Sequence, residues 1–107
     1  MDTSLTPMAL LKKFAIEFAE NQIDEKKLLF EHEKYRHVPN KYKLLIGIAV
    51  AASLGSDTCS LMWTNMAKNQ SVTNEEIVEA IMVARYMKQA TVNDTAANTL
   101  RALMKGE

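Results

Sequence analysis

Apolar residues recur at spacings of three and four along most of the chain, which is the period of an amphipathic helix. The first such segment follows Thr6-Pro7, a threonine suited to capping and a proline suited to the first helical position. Its apolar face carries Met8, Leu11, Ala15 and Phe18. The pattern weakens at Asn21-Gln22, so we predict a second helix from about Asp24 to Tyr35, before the break at Val38-Pro39-Asn40.

The segment from Lys41 to Leu54 has a different pattern, because it is apolar almost all round. A helix without a polar face belongs in the middle of a bundle or of an oligomer. Gly55 follows this segment, at the position where a helix end favours a residue with left-handed backbone.

Two capping signals divide the rest of the chain. Ser56 or Asp57 is suited to begin a helix that carries Cys59, and Thr73 with Glu76 forms a capping box for the next. The last segment, from about Val92 to Met104, is helical by propensity and is predicted as a separate element. The pattern therefore predicts an all-α fold of five or six helices.

Composition narrows the possible functions. The 107 residues predict one domain, residues 1–107, and thirteen basic residues balance thirteen acidic ones. Zero net charge without a basic stripe argues against a nucleic-acid partner. The longest apolar run, from Leu44 to Leu54, is shorter than the roughly 20 residues that cross a bilayer, so we expect no membrane association. A domain this small buries a limited core, which favours self-association.

Cys59 is the one cysteine, so no disulfide can form within the chain, and a reducing cytoplasm is the expected compartment. His32 and His37 are five residues apart among glutamates, which is a poor spacing for a metal site. We expect no metal and no cofactor.

The stretch from Lys41 to Glu79, KYKLLIGIAVAASLGSDTCSLMWTNMAKNQSVTNEEIVE, resembles the central motif of the carboxymuconolactone decarboxylase / alkylhydroperoxidase-D-like superfamily. In that family an apolar, alanine-rich helix ends at a glycine. A CxxC pair follows, then a histidine, a polar turn and a helix that opens with EEI. Here the glycine is Gly55, the second cysteine is Cys59, and the turn and helix start lie in Ser71 to Ile77.

The departures from the family motif bear on function. By this resemblance, Leu44 stands at the glutamate of the redox relay, Ser56 at the first cysteine and Trp63 at the histidine. A dithiol–disulfide cycle needs two sulfurs, and neither Leu44 nor Trp63 can move a proton. The decarboxylase branch also lacks the cysteine pair, but its members usually keep a histidine where this chain has Trp63.

The resemblance implies an alkylhydroperoxidase-D-like bundle that forms a homo-oligomer, a trimer or a hexamer. It also implies a peroxiredoxin-like antioxidant activity, with an external thiol as reductant. Because three of the four relay positions are changed, we expect that activity to be weak or lost.

The candidate site residues also have ordinary structural explanations. Cys59, in the first turn of its helix, is a candidate peroxidatic thiol or a small packing residue. Ser56 is a weak nucleophile or simply a helix cap. A candidate pocket, formed by Leu44, Met62, Trp63 and Met66, would otherwise be core or subunit interface. Arg85 and Lys88 would face solvent, with Glu75 or Glu79 as possible partners.

Three hypotheses follow. The first is a weak one-cysteine peroxidase that uses Cys59. The second is a decarboxylase or isomerase acting on a small organic acid, with His32 or His37 as the base. The third is a non-catalytic module that binds a small apolar ligand or a protein through its methionine-rich pocket.

Overall fold

The computed structural model describes residues 5–106, and within them all regular secondary structure is helical. The five α-helices are α1 (Pro7–Phe14), α2 (Ile16–Glu31), α3 (Asn40–Ser53), α4 (Asp57–Asn69) and α5 (Asn74–Met104), with a 3₁₀ turn at Glu33–Tyr35. The predicted all-α class is confirmed. The described residues divide into two compact units, the first ending at Asn40 and the second beginning at Lys41, and the prediction of one domain stays a prediction.

Helix α1 begins where its capping signal predicts. The hydroxyl of Thr6 accepts a hydrogen bond from Ala9 N at 3.1 Å, and Pro7 opens α1. The predicted weak point at Asn21-Gln22 is wrong, because these residues lie inside α2. Exposed amides cost a helix little, so they do not end it. The helix break lies instead at Ala15 (φ −151°, ψ 69°), and nothing in the local sequence explains it.

The end of α2 is held by side chains that come later in the sequence. Arg36 donates to the main-chain oxygen of Glu31 at 2.9 Å, and Asn40 donates to that of Phe30 at 3.0 Å. These bonds satisfy carbonyl groups that have no partner inside the helix. The second helix was predicted from Asp24 to Tyr35. In the structure it begins earlier, at Ile16, and also ends earlier, at Glu31.

In the second unit, α3 supplies the core. Leu44, Ile48 and Ala51 are buried at spacings of four and three, so they form one stripe along the helix. Further buried residues come from α4, the turn after it and α5: Ala67, Val72 and Ile77. The other side of α3 is exposed, since Ile46 and Val50 keep 56% and 50% of their surface. The segment that is apolar all round thus packs on one side only within the chain.

The last helix is longer than predicted. The capping box is present, because Thr73 Oγ1 accepts from Glu76 N and Glu76 Oε1 accepts from Thr73 N, at 3.1 and 2.9 Å. From there α5 runs unbroken for 31 residues, so the separate segment predicted from Val92 to Met104 is wrong. Residues 74–104 hold no glycine or proline, and nothing else in this stretch ends the helix.

Candidate functional site

The turn between α3 and α4 sets the position of the two candidate catalytic residues. Gly55 has φ 75°, and the next amide, Ser56 N, donates back to Ala51 O at 2.9 Å. This pairing closes the C-terminal end of α3 in the way typical of a glycine with left-handed backbone. Residues 54–56 join the two helices, and α4 begins at Asp57.

Ser56 is the N-cap of α4. Its hydroxyl accepts a hydrogen bond from Cys59 N at 3.4 Å, and its main-chain oxygen accepts from Ser60 N at 3.0 Å. The cap function predicted for Ser56 is therefore present. Its oxygen faces a backbone amide of the first helical turn, and among the described residues no base is joined to it by a hydrogen bond.

Cys59 lies in that first turn with its side chain exposed. The thiol is therefore accessible to solvent, and the alternative of a buried packing residue does not describe it. Within residues 5–106, no hydrogen bond or ion pair joins the Cys59 side chain to another group. The structure thus brings Ser56 and Cys59 together on one helical turn without adding a proton donor or acceptor to the pair.

The other two relay positions are part of the packing of α3 and α4. Leu44 is fully buried, and the ring of Trp63 lies directly against Gly47. A Cβ at Gly47 would come well under 3.0 Å from ring atoms of Trp63, so glycine is what allows the indole this close. Of the remaining predicted pocket residues, Met66 is half-buried and Met62 is 40% exposed.

A cavity of about 390 Å³ lies elsewhere in this unit, against α3 and α5. It is lined by Ala52, Ser53, Ile81, Ala84, Arg85, Lys88, Gln89 and Val92. None of the six predicted site residues lines it. No local pattern in the sequence predicts this cavity, because the face of α5 that meets the end of α3 depends on how the two helices pack.

Arg85 and Lys88 are exposed, as predicted, and neither forms the alternative ion pair with Glu75 or Glu79 among residues 5–106. Lys88 donates to the main-chain oxygen of Ser53 at the end of α3. Among residues 5–106 no carboxylate forms an ion pair with Arg85. Glu79 lies six residues before Arg85, and that spacing does not bring the two side chains to the same face of a helix.

The histidines lie in the first unit. Nδ1 of His32 accepts a hydrogen bond from Lys34 N at 3.1 Å, which caps the 3₁₀ turn. The same ring borders a second cavity of about 370 Å³, shared with Asp24, Lys27, Leu28 and Glu31. His37 is exposed. Within the described residues, no three His, Cys, Asp or Glu side chains come together as a metal site.

An ion pair in the second unit changes the pKa values of both of its side chains. Lys41, at the start of α3, pairs with Glu76 in the first turn of α5. The hydrogen bond from Lys41, together with the main-chain N–H of Thr73, lowers the pKa of Glu76 to about 2. The same hydrogen bond raises the pKa of Lys41.

No helix among residues 5–106 combines the length and the apolar character needed to cross a membrane. The model of the carboxymuconolactone decarboxylase family matches residues 26–102, which is more than half of the chain. No curated protein and no solved structure matches the chain significantly.

Proposed function

The chain belongs to the carboxymuconolactone decarboxylase family, and from that premise we propose that it has at most weak one-cysteine peroxidase activity, carried by Cys59. The observation that supports this proposal is the exposed side chain of Cys59 in the first turn of α4. A peroxide can reach this sulfur without any movement of the chain.

In the proposed reaction, the thiolate of Cys59 attacks one oxygen of a hydroperoxide. The O–O bond breaks, the sulfur is oxidised to a sulfenic acid, and the alcohol leaves after taking a proton from water. An external thiol then condenses with the sulfenic acid and releases water, and a second one frees Cys59 by forming the external disulfide.

The residues around Cys59 explain why this activity should be weak. The leaving alkoxide needs a proton, and a positioned acid speeds such a step by about 10²–10⁴-fold. Leu44 and Trp63, at two of the relay positions, supply none. With Ser56 in place of a second cysteine, no disulfide within the chain can resolve the sulfenic acid.

The test is the reactivity of Cys59 with a thiol reagent from about pH 5 to pH 10, native and unfolded, followed by sulfenic acid trapping after peroxide. We expect the native protein to be labelled and to form a sulfenic acid with peroxide, because Cys59 is exposed, and we expect Cys59→Ser to lose peroxide turnover. The double variant Cys59→Ser/Thr58→Cys keeps one exposed thiol in the same turn and serves as the matched control. Turnover that survives Cys59→Ser would contradict the proposal.

The decarboxylase or isomerase hypothesis predicts the opposite response, since thiol reagents and Cys59→Ser would leave activity intact. His32 is a poor base for such a reaction. Its Nδ1 accepts the Lys34 N–H, so the proton of the neutral ring lies on Nε2. Turnover of a small lactone acid, measured with and without a thiol reagent and in Cys59→Ser, separates the two hypotheses.

We also propose that the chain works as a homo-oligomer, a trimer or a hexamer, in the cytoplasm, with an external thiol as reductant. The support for assembly is the apolar surface that the chain leaves exposed. Side chains on α3 and α5 are half exposed or more, including Ile46, Val50, Val83, Tyr86 and Met87. Sedimentation velocity tests this proposal, and a monomer at micromolar concentration would contradict it.

A further inference from the structure

We propose that the cavity against α3 and α5 binds a small monocarboxylate with an apolar body, an activity beyond the thiol chemistry of Cys59. The volume of about 390 Å³ lies near the lower end of the range of small-molecule sites, about 300–1,000 Å³. Cys59 does not line this cavity, so binding there does not depend on the thiol.

The walls are suited to an apolar body. Ala52, Ile81, Ala84 and Val92 supply aliphatic surface, and the cavity lining contains no aromatic ring and no acidic side chain. A nucleotide base would find no stacking partner there. A short alkyl chain would cover the exposed part of Val92, which keeps 62% of its surface.

The polar groups of the cavity are suited to one negative charge. Arg85 and Lys88 are three residues apart on α5, so they share a face. Arg85 has no carboxylate partner among residues 5–106, and a guanidinium binds a carboxylate through two parallel hydrogen bonds. Gln89, also in the lining, has a side-chain amide that can donate a hydrogen bond.

The end of α3 limits the charge of the ligand. Its last carbonyl groups carry the negative end of the helix dipole, and Lys88 already donates to the Ser53 carbonyl. Lys88 therefore offsets the dipole and leaves Arg85 as the cation that is free for a ligand. A monocarboxylate suits this balance better than a phosphate or a dicarboxylate does.

The experiment compares hexanoate with 1-hexanol, which has the same chain length without the charge. Binding is followed through the NMR signals of the methyl groups of Ile81, Ala84 and Val92. We expect both probes to shift these signals, with hexanoate about fivefold tighter at low salt. Equal affinity of the two probes, absence of hexanoate binding, or shifts confined to other residues would each overturn the proposal.

Two variants test whether Arg85 is the cation that binds the carboxylate. Arg85→Gln should remove the preference for hexanoate and leave the affinity for 1-hexanol unchanged. Arg101→Gln is the matched control, because Arg101 is an exposed arginine on the same helix that bonds to Asn98 and does not line the cavity. A preference for hexanoate that persists in Arg85→Gln, or that is lost equally in Arg101→Gln, would overturn the assignment.

Discussion

The main-chain oxygen of Ser53, the last residue of α3, accepts a hydrogen bond from Nζ of Lys88, which lies 35 residues later on α5. Lys41 and Glu76, near the starts of the same two helices, are also 35 residues apart and form an ion pair. Two contacts at one constant separation mean that α3 and α5 run side by side in the same direction for about three turns. This register places Ala52 and Ser53 opposite Ala84 to Gln89 and so forms the cavity.

The ion pair at the start of this register predicts an acid-sensitive contribution to stability. The folded pKa of Glu76 is about 2, below its ordinary value of 4.5, chiefly because Lys41 hydrogen bonds to the carboxylate. A lowered pKa means that the contribution is fully present above about pH 4.5 and is lost as the pH falls toward 2.

Urea unfolding of wild type and Glu76→Gln between pH 2 and pH 7 measures this contribution. We expect wild type to be more stable at neutral pH and the difference to shrink through the acid range. Glu79→Gln is the matched control, since Glu79 is exposed on the same helix and should show no such convergence. Parallel pH profiles for wild type and Glu76→Gln would contradict the prediction.

The contact between Gly47 and Trp63 predicts that added volume is destabilising. In Gly47→Ala the new methyl would meet the indole ring well under 3.0 Å, so the ring must move. We expect a loss of about 1–3 kcal/mol from overpacking, which exceeds the gain of up to about 1 kcal/mol from the helix propensity of alanine.

Urea unfolding measures this loss, and the double variant Gly47→Ala/Trp63→Leu tests its cause. If the clash with the ring is responsible, the smaller leucine should make Gly47→Ala much less costly in that background. An equal loss in both backgrounds would show that Trp63 is not the group that is displaced.

Gly55 is required for a different reason. Its φ of 75° is unfavourable for a residue with a Cβ, while the space around it is open. Gly55→Ala should therefore lose about 1 kcal/mol through backbone strain alone, and Gly55→Asn less, because asparagine tolerates this conformation better. Thermal unfolding checks this order, and equal stability of the three proteins would contradict it.

The sequence predicts the helix caps and the glycine turn correctly. Thr6-Pro7, Gly55, Ser56 and the Thr73–Glu76 box all act in the structure as their residue types predict. These features depend on hydrogen bonds within four or five residues, which the sequence shows directly.

The features that depend on tertiary packing were not predictable in the same way. The break at Ala15 occurs at a good helix former, and the unbroken α5 joins two segments predicted to be separate. The cavity depends on a 35-residue register, which no local pattern reveals. The family motif identified the turn that carries Cys59, while the cavity lined by Arg85 and Lys88 lies outside that motif's relay positions.

Ser56→Cys tests whether a second cysteine at this position forms a disulfide with Cys59. The Ser56 side chain already faces the first turn of α4, where its oxygen lies 3.4 Å from Cys59 N. A thiol at that position is three residues before Cys59, so mild oxidation should form a disulfide that a dithiol reduces again. The change also removes a serine cap, which should cost about 1 kcal/mol.

Counting free thiols before and after oxidation measures the disulfide, and Ser60→Cys is the matched control. Residue 60 is adjacent to Cys59 on the helix, and adjacent side chains point in different directions, so this pair should stay reduced. Two free thiols after oxidation of Ser56→Cys would contradict the prediction. If the disulfide forms but peroxide turnover does not rise, the missing proton relay at Leu44 and Trp63 limits the reaction rather than the missing sulfur.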